Sequence, residues 1–191
     1  MRIDTAIYEL QRLRDHGINL LLVDYRGYGL SEGKPSAEAL KADAEKVFDA
    51  AASHPLVDKD HISAWGYSIG TGVATHLASK RPIERLVLFA PFTSMSDVAA
   101  EVFPFVPVRF FLRHQFDLLA LAPALQNPVL IVTGQEDAEY GTEHAEIIAD
   151  AWGGAHEVLL LPERGHQDLL DDERVWEAVM KFLQTGAADG N

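Results

Sequence analysis

At 191 residues, with 48% hydrophobic and 24% charged side chains, the chain is long enough for one domain with its own core and too short for two ordinary ones. Against 29 acidic residues stand 16 basic ones, a formal charge of −13 that opposes binding to a polyanion and excludes nucleic acid as a natural partner. No cysteine is present, so disulfides, thiolate metal sites and a cysteine nucleophile are excluded together.

Taken in order, Ile3, Ile7, Leu10 and Leu13 recur at helical spacing and Gly17 supplies a stop. The run INLLLVD, 18–24, is nearly all apolar, the pattern of a strand covered on both faces. After the loop YRGYGLSEGKP, Ser36 is the predicted N-cap of a helix with Leu40, Ala44, Val47, Phe48 and Ala51 on its buried stripe. Arg26 and the glycines of RGYG are read as turn-formers rather than a phosphate cradle. The unit then repeats: strand 61–66 with helix 70–80, strand 85–90, strand 128–134 with helix 142–152, and strand 157–161 with helix 173–184. Such alternation predicts an open, mainly parallel sheet with helices on both faces, and places functional residues beyond the C-terminal ends of the strands.

The whole of 1–191 is expected to be a single domain, with 91–127 as a lid insertion and 185–191 as a flexible tail. Within the insertion, VFPFVPVRFFL either contacts an acyl chain over the site or packs the lid onto the body. No apolar run approaches the roughly 18 residues needed to span a bilayer, and the N-terminus lacks a signal-peptide core. As given, the chain reads as cytoplasmic, without encoded membrane association. A missing N-terminal segment would make an anchored or exported form the expectation instead.

The stretch SAWGYSIGTG sets Ser68 between Gly66 and Gly70, where an apolar strand meets a helix bearing Val73, Ala74, Leu77 and Ala78 on one face. A serine hydroxyl reacts only when a base takes its proton and the resulting oxyanion is stabilised. A strained strand-to-helix turn provides the geometry, needs small residues two positions either side, and aims the helix N-terminus at the developing charge. Ser68 is thus the candidate nucleophile and the Ile69 N–H one candidate oxyanion donor. A plain tight turn is the competing reading, disfavoured by the flanking strand and helix.

The acid and the base are expected later, in that order, at strand ends. Asp137 falls just past 128–134 and His166 just past 157–161. Imidazole suits the base, and a carboxylate on its other nitrogen fixes the tautomer. Glu136 is the nearest rival to Asp137, which could otherwise be a turn acid, and His166 could otherwise cap the last helix. His16, His54, His61, His76, His114, His144 and His156 are read as structural or solvated. No His–carboxylate spacing resembles a zinc or calcium site, so no metal and no cofactor are implied.

The segments DYRGYGLSEGKPS (24–36), GYSIGTGVATHLA, APFTSMSDVA and GHQDLL together resemble the α/β-hydrolase superfamily. More narrowly, the chain is similar to a group of lipid esterases, lysophospholipases, depalmitoylating thioesterases and bacterial hydrolases. The resemblance implies a Ser68–Asp137–His166 triad, cleavage of an ester or thioester through an acyl-enzyme, and a small-molecule or lipid-like acyl substrate with no obligatory protein partner. In such proteins about three strands precede the first helix, and the third ends in a His-Gly loop that gives a second oxyanion donor. That loop is absent here. The resemblance therefore predicts an N-terminally truncated sheet of about five strands, lacking the one between 18–24 and 61–66. An inactive fragment acting by binding, and a peptidase of the same fold, are the rival readings.

Overall fold

Four short parallel strands, the middle two buried throughout, organise the molecule, whose computed structural model describes residues 10–106 and 116–184. The start of the first expected helix, residues 107–115 of the insertion with His114, and the 185–191 tail lie outside the described residues. Residues 10–15 form α1, which ends in a Schellman turn: Gly17 adopts a φ of 81°, its N–H bonds the Arg14 carbonyl at 2.9 Å, and the Ile18 N–H bonds that of Leu13 at 3.0 Å. Ser36 caps α2 (Ala37–Ala52), its hydroxyl accepting from the Ala39 N–H at 3.2 Å. The other strands and α-helices among the described residues are β1 (Ala64–Tyr67), α3 (Ile69–Lys80), β2 (Leu86–Phe89), α4 (Met95–Val102), α5 (Leu118–Leu121), β3 (Val129–Gly134), α6 (Glu143–Ala151), β4 (His156–Leu161) and α7 (Glu173–Gln184).

The strands pair in the order β1-β2-β3-β4, every pair parallel, with Gly66 opposite Leu88, Leu88 opposite Ile131 and Ile131 opposite Val158. Because successive strand side chains point to opposite faces, the sheet divides the core in two. Leu86, Leu88, Val129 and Ile131 pack with Leu40, Phe48, Val73 and Ile148 from α2, α3 and α6. Val87, Phe89, Leu130 and Val132 pack with Leu13, Val175, Trp176 and Val179 from α1 and α7. Helices thus cover both faces, and the fold is the open parallel α/β sheet expected.

The expected strand at 18–24 is a correction: it joins no ladder among the described residues. Its burial alternates as a strand's does, with Ile18, Leu20 and Leu22 packed on the α1–α7 side while Leu21 and Val23 are 62% and 44% exposed. One face has found a core and the other has not. A strand's backbone needs a neighbour as well as an apolar face, and without one this run has no ladder. Among the described residues the hydrogen-bonded sheet has four strands rather than about five.

The loop after it is built as expected of turn-formers. Gly27, Gly29 and Gly33 all have left-handed φ, and Arg26 binds Asp43 of α2 through both carboxylate oxygens.

In the 91–127 stretch between β2 and β3, described residues from its two sides are tied together. An antiparallel bridge joins Ser94 to Asp117, the Met95 N–H bonds the Phe116 carbonyl at 3.0 Å, and the Leu118 N–H bonds that of Thr93 at 2.9 Å. Phe116 packs against α3 at Gly72, where a Cβ would stand 2.5 Å from its ring.

A serine, a histidine and an aspartate at the strand ends

Ser68 occupies the single residue between β1 and α3, with φ 52° and ψ −121°, a region that side-chain-bearing residues avoid. The turn is possible because a Cβ on Gly66 would stand 2.4 Å from the Gly70 carbonyl oxygen, so position 66 admits glycine alone. Gly70 is needed less: a Cβ there would meet only the Tyr25 hydroxyl, at 3.4 Å. The Ser68 side chain makes no cap hydrogen bond to α3, so the Ile69 and Gly70 N–H groups lie in a first turn without that acceptor.

Asp137 sits just past β3 and His166 past β4, both buried. Their loops are joined by backbone: the Gln135 N–H bonds the Leu161 carbonyl and the Glu136 N–H bonds that of Arg164, each at 2.9 Å. Gly134 allows the crossing, since a Cβ on it would stand 2.1 Å from the Arg164 oxygen. Asp137 Oδ1 accepts the N–H groups of Glu139 at 2.8 Å and Tyr140 at 3.0 Å, and Oδ2 faces His166 Nδ1 at 2.8 Å. Burial pushes the Asp137 carboxyl up, but the bonds from His166, Tyr140 and Glu139 outweigh it and hold the group below the usual carboxylate range. With Nδ1–H given to this carboxylate, His166 Nε2 is free to accept from Ser68 Oγ at 3.0 Å.

The structure therefore brings Ser68, Asp137 and His166 into one chain of hydrogen bonds, with the Ile69 N–H beside it. Glu136, the rival acid, is exposed, and it is Asp137 that reaches the imidazole.

Three neighbours escaped the sequence reading. The Tyr67 hydroxyl donates to the His166 carbonyl, and its ring stacks on Phe89; burial, reinforced by the Asp137 and Asp168 charges, raises its phenol pKa. Glu139 places a carboxylate oxygen 3.3 Å from His166 Nε2. The Tyr140 hydroxyl lies 3.3 Å from Ser68 Oγ. Tyr67 and Tyr140 reach residues 99 and 72 positions away, a separation no local pattern reports.

His144, read as structural, is buried at the edge of this group: Nδ1 accepts from the Thr93 N–H at 3.2 Å and Nε2 approaches Glu101 of α4 at 3.3 Å. Among the described residues no three potential metal ligands cluster, and no helix is long and apolar enough to cross a membrane. A hollow lined by Arg12, His16, Trp176 and Met180 lies between α1 and α7 and includes none of the three residues.

A parallel sheet covered on both faces, with a serine on its strand-to-helix elbow and polar partners past later strands, defines the α/β-hydrolase class. Residues 8–115 match the family described as Serine aminopeptidase, S33, and residues 115–191 match the one described as TAP-like protein. The chain belongs to the Serine aminopeptidase, S33 family of α/β-hydrolases.

Among relatives, it is 33% identical to the uncharacterized protein Rv2307c of Mycobacterium tuberculosis, over 100% of this chain and 67% of that one. It is 34% identical to human Protein ABHD12B, over 78% of this chain and 47% of the relative. It thus spans about half to two thirds of the length of these relatives. Among solved structures, Est1E from Butyrivibrio proteoclasticus, with ferulic acid bound, shares the fold with a TM-score of 0.80 at 20% identity, covering 96% of this chain and 83% of that one.

Proposed function

We propose that the protein is a serine hydrolase that cleaves carboxylic esters or thioesters of acyl substrates. The observation that carries this reading is the unbroken line from Asp137 through His166 to Ser68, ending on a left-handed elbow at a helix N-terminus. In acylation, Ser68 Oγ bonds to the carbonyl carbon while His166 Nε2 takes its proton, and the Ile69 N–H binds the oxygen that becomes negative. The carbon–leaving-group bond then breaks, and the proton on His166 passes to the departing alkoxide or thiolate. Water repeats the sequence: His166 takes its proton, the hydroxide adds to the acyl carbon, and the Ser68 ester bond breaks as Oγ regains a proton. Asp137 holds the imidazole in the required tautomer and stabilises its charged form throughout.

An acyl substrate is favoured by the insertion. Val102, Phe103, Phe105 and Val106 are all exposed at the end of α4, and Phe105 is almost wholly so. This helix adjoins the site through Glu101, which faces His144, which in turn packs edge-on against Tyr140. The test is intact-mass detection of a fluorophosphonate adduct beside Ser68→Ala. One adduct, absent from the variant, is expected; a folded protein that takes no label supports instead the inactive, binding fragment, a reading favoured by the unpaired 18–24 run. The family's aminopeptidase description favours a peptidase as the second reading, and faster turnover of aminoacyl arylamides than of medium-chain acyl esters would establish it.

A further inference from the structure

We propose that Tyr140 is a further catalytic residue, its phenol O–H donating a hydrogen bond to Ser68 Oγ as negative charge gathers there. The inference rests on the reading of Ser68 as nucleophile and adds a group to that site. The Tyr140 hydroxyl stands 3.3 Å from Ser68 Oγ, the oxygen that also faces His166 Nε2 at 3.0 Å. With Nδ1 donating to Asp137, Nε2 is the accepting nitrogen of His166, so Ser68 gives its one hydrogen to it. Its lone pairs are left for a donor, and among the described residues the Tyr140 hydroxyl is placed to supply it.

The tyrosine is held on several sides. Its backbone N–H bonds the Asp137 carboxylate at 3.0 Å, so the acid that orients the base also fixes this residue. Its ring meets the His166 ring at 90° with centroids 4.9 Å apart, leans on Phe92 at 5.5 Å and touches His144 edge-on at 6.2 Å. A hydroxyl fixed this firmly is aimed before the reaction begins, and an aimed donor stabilises charge without reorganising. Burial raises the phenol pKa, so at neutral pH the group is a neutral donor and keeps its proton.

Its contribution falls at two points. As Oγ–H passes its proton to His166 and the bond to the carbonyl carbon forms, charge on Oγ is shared with the Tyr140 O–H. As the second tetrahedral intermediate collapses and the bond to Oγ breaks, the same O–H meets the departing alkoxide until His166 returns a proton. Hydrogen bonds to charged oxygens are stronger than those to neutral ones, so the effect is on the transition states rather than on substrate binding.

Tyr140→Phe tests this while keeping the ring contacts and the backbone bond to Asp137. Its kcat on a p-nitrophenyl acyl ester is expected to fall about 10-fold to 100-fold with KM within about 2-fold. The second-order rate of fluorophosphonate labelling should fall by a similar factor with the melting temperature unchanged. Labelling and kcat both within about 2-fold of the parent chain would overturn the proposal and leave Tyr140 as a packing residue only. If the label were retained in Ser68→Ala, or absent from the parent chain, the nucleophile reading itself would fall and the proposal with it.

Discussion

Two stretches of this chain look alike on paper and end differently. VLIVTG becomes β3, paired on both edges and buried at every position. INLLLVD, 18–24, is just as apolar, buries alternate residues and bonds to no neighbouring strand among the described residues. Apolar content makes a run able to join a sheet, whereas membership depends on a partner for its N–H and C=O groups. The difference runs on into function, because Ser68, Asp137 and His166 all follow paired strands and none depends on the 18–24 run for a hydrogen bond.

The comparison can be tested at both of its ends. The largest effect is expected at the paired end, where Asp137→Asn keeps the shape but removes the charge and tautomer control from His166. Ester turnover should fall about 10⁴-fold with little change in KM. Turnover that survives would detach activity from the strand-end residues and break the contrast. Next, Leu130→Ala in β3 should cost about 2–5 kcal/mol in denaturant unfolding, while Leu21→Ala should stay within about 0.5 kcal/mol. A large loss at Leu21 would mean that the solvent-facing side of 18–24 is covered in solution. Smaller than the loss at Leu130 is that of Gly66→Ala: overpacking against the Gly70 carbonyl should cost about 1–3 kcal/mol and suppress fluorophosphonate labelling with it. Gly70→Ala, which meets only a hydroxyl, should retain far more of the label.

Much of the site was legible because its signals are local. A glycine pair around a serine, and an acid and a histidine each just past an apolar run, need only a strand-end rule to be found. Strand and helix positions followed from periodicity to within a few residues, as with 61–66 read for Ala64–Tyr67. Illegible were the features created by folding alone. Tyr67 holds the His166 carbonyl, Glu139 faces His166 Nε2, and Tyr140 reaches Ser68, all through contacts between segments remote in sequence. The 18–24 run misled for the opposite reason, since its local signal was strong and its hydrogen-bonding outcome was set elsewhere.

The neck at Ser94 and Asp117 gives the molecule a seam. Ser94 and Asp117 are joined by one bridge with backbone bonds beside it, α4 keeps a further contact with the body through Glu101 and His144, and the strand ends that carry Ser68, Asp137 and His166 lie outside the seam. A cap of different length or chemistry could be grafted at this seam without altering the register of any strand. The body would then serve as a chassis and the stretch tied off at the seam as the exchangeable part, with the hydrogen-bonded line from Asp137 through His166 to Ser68 left in place.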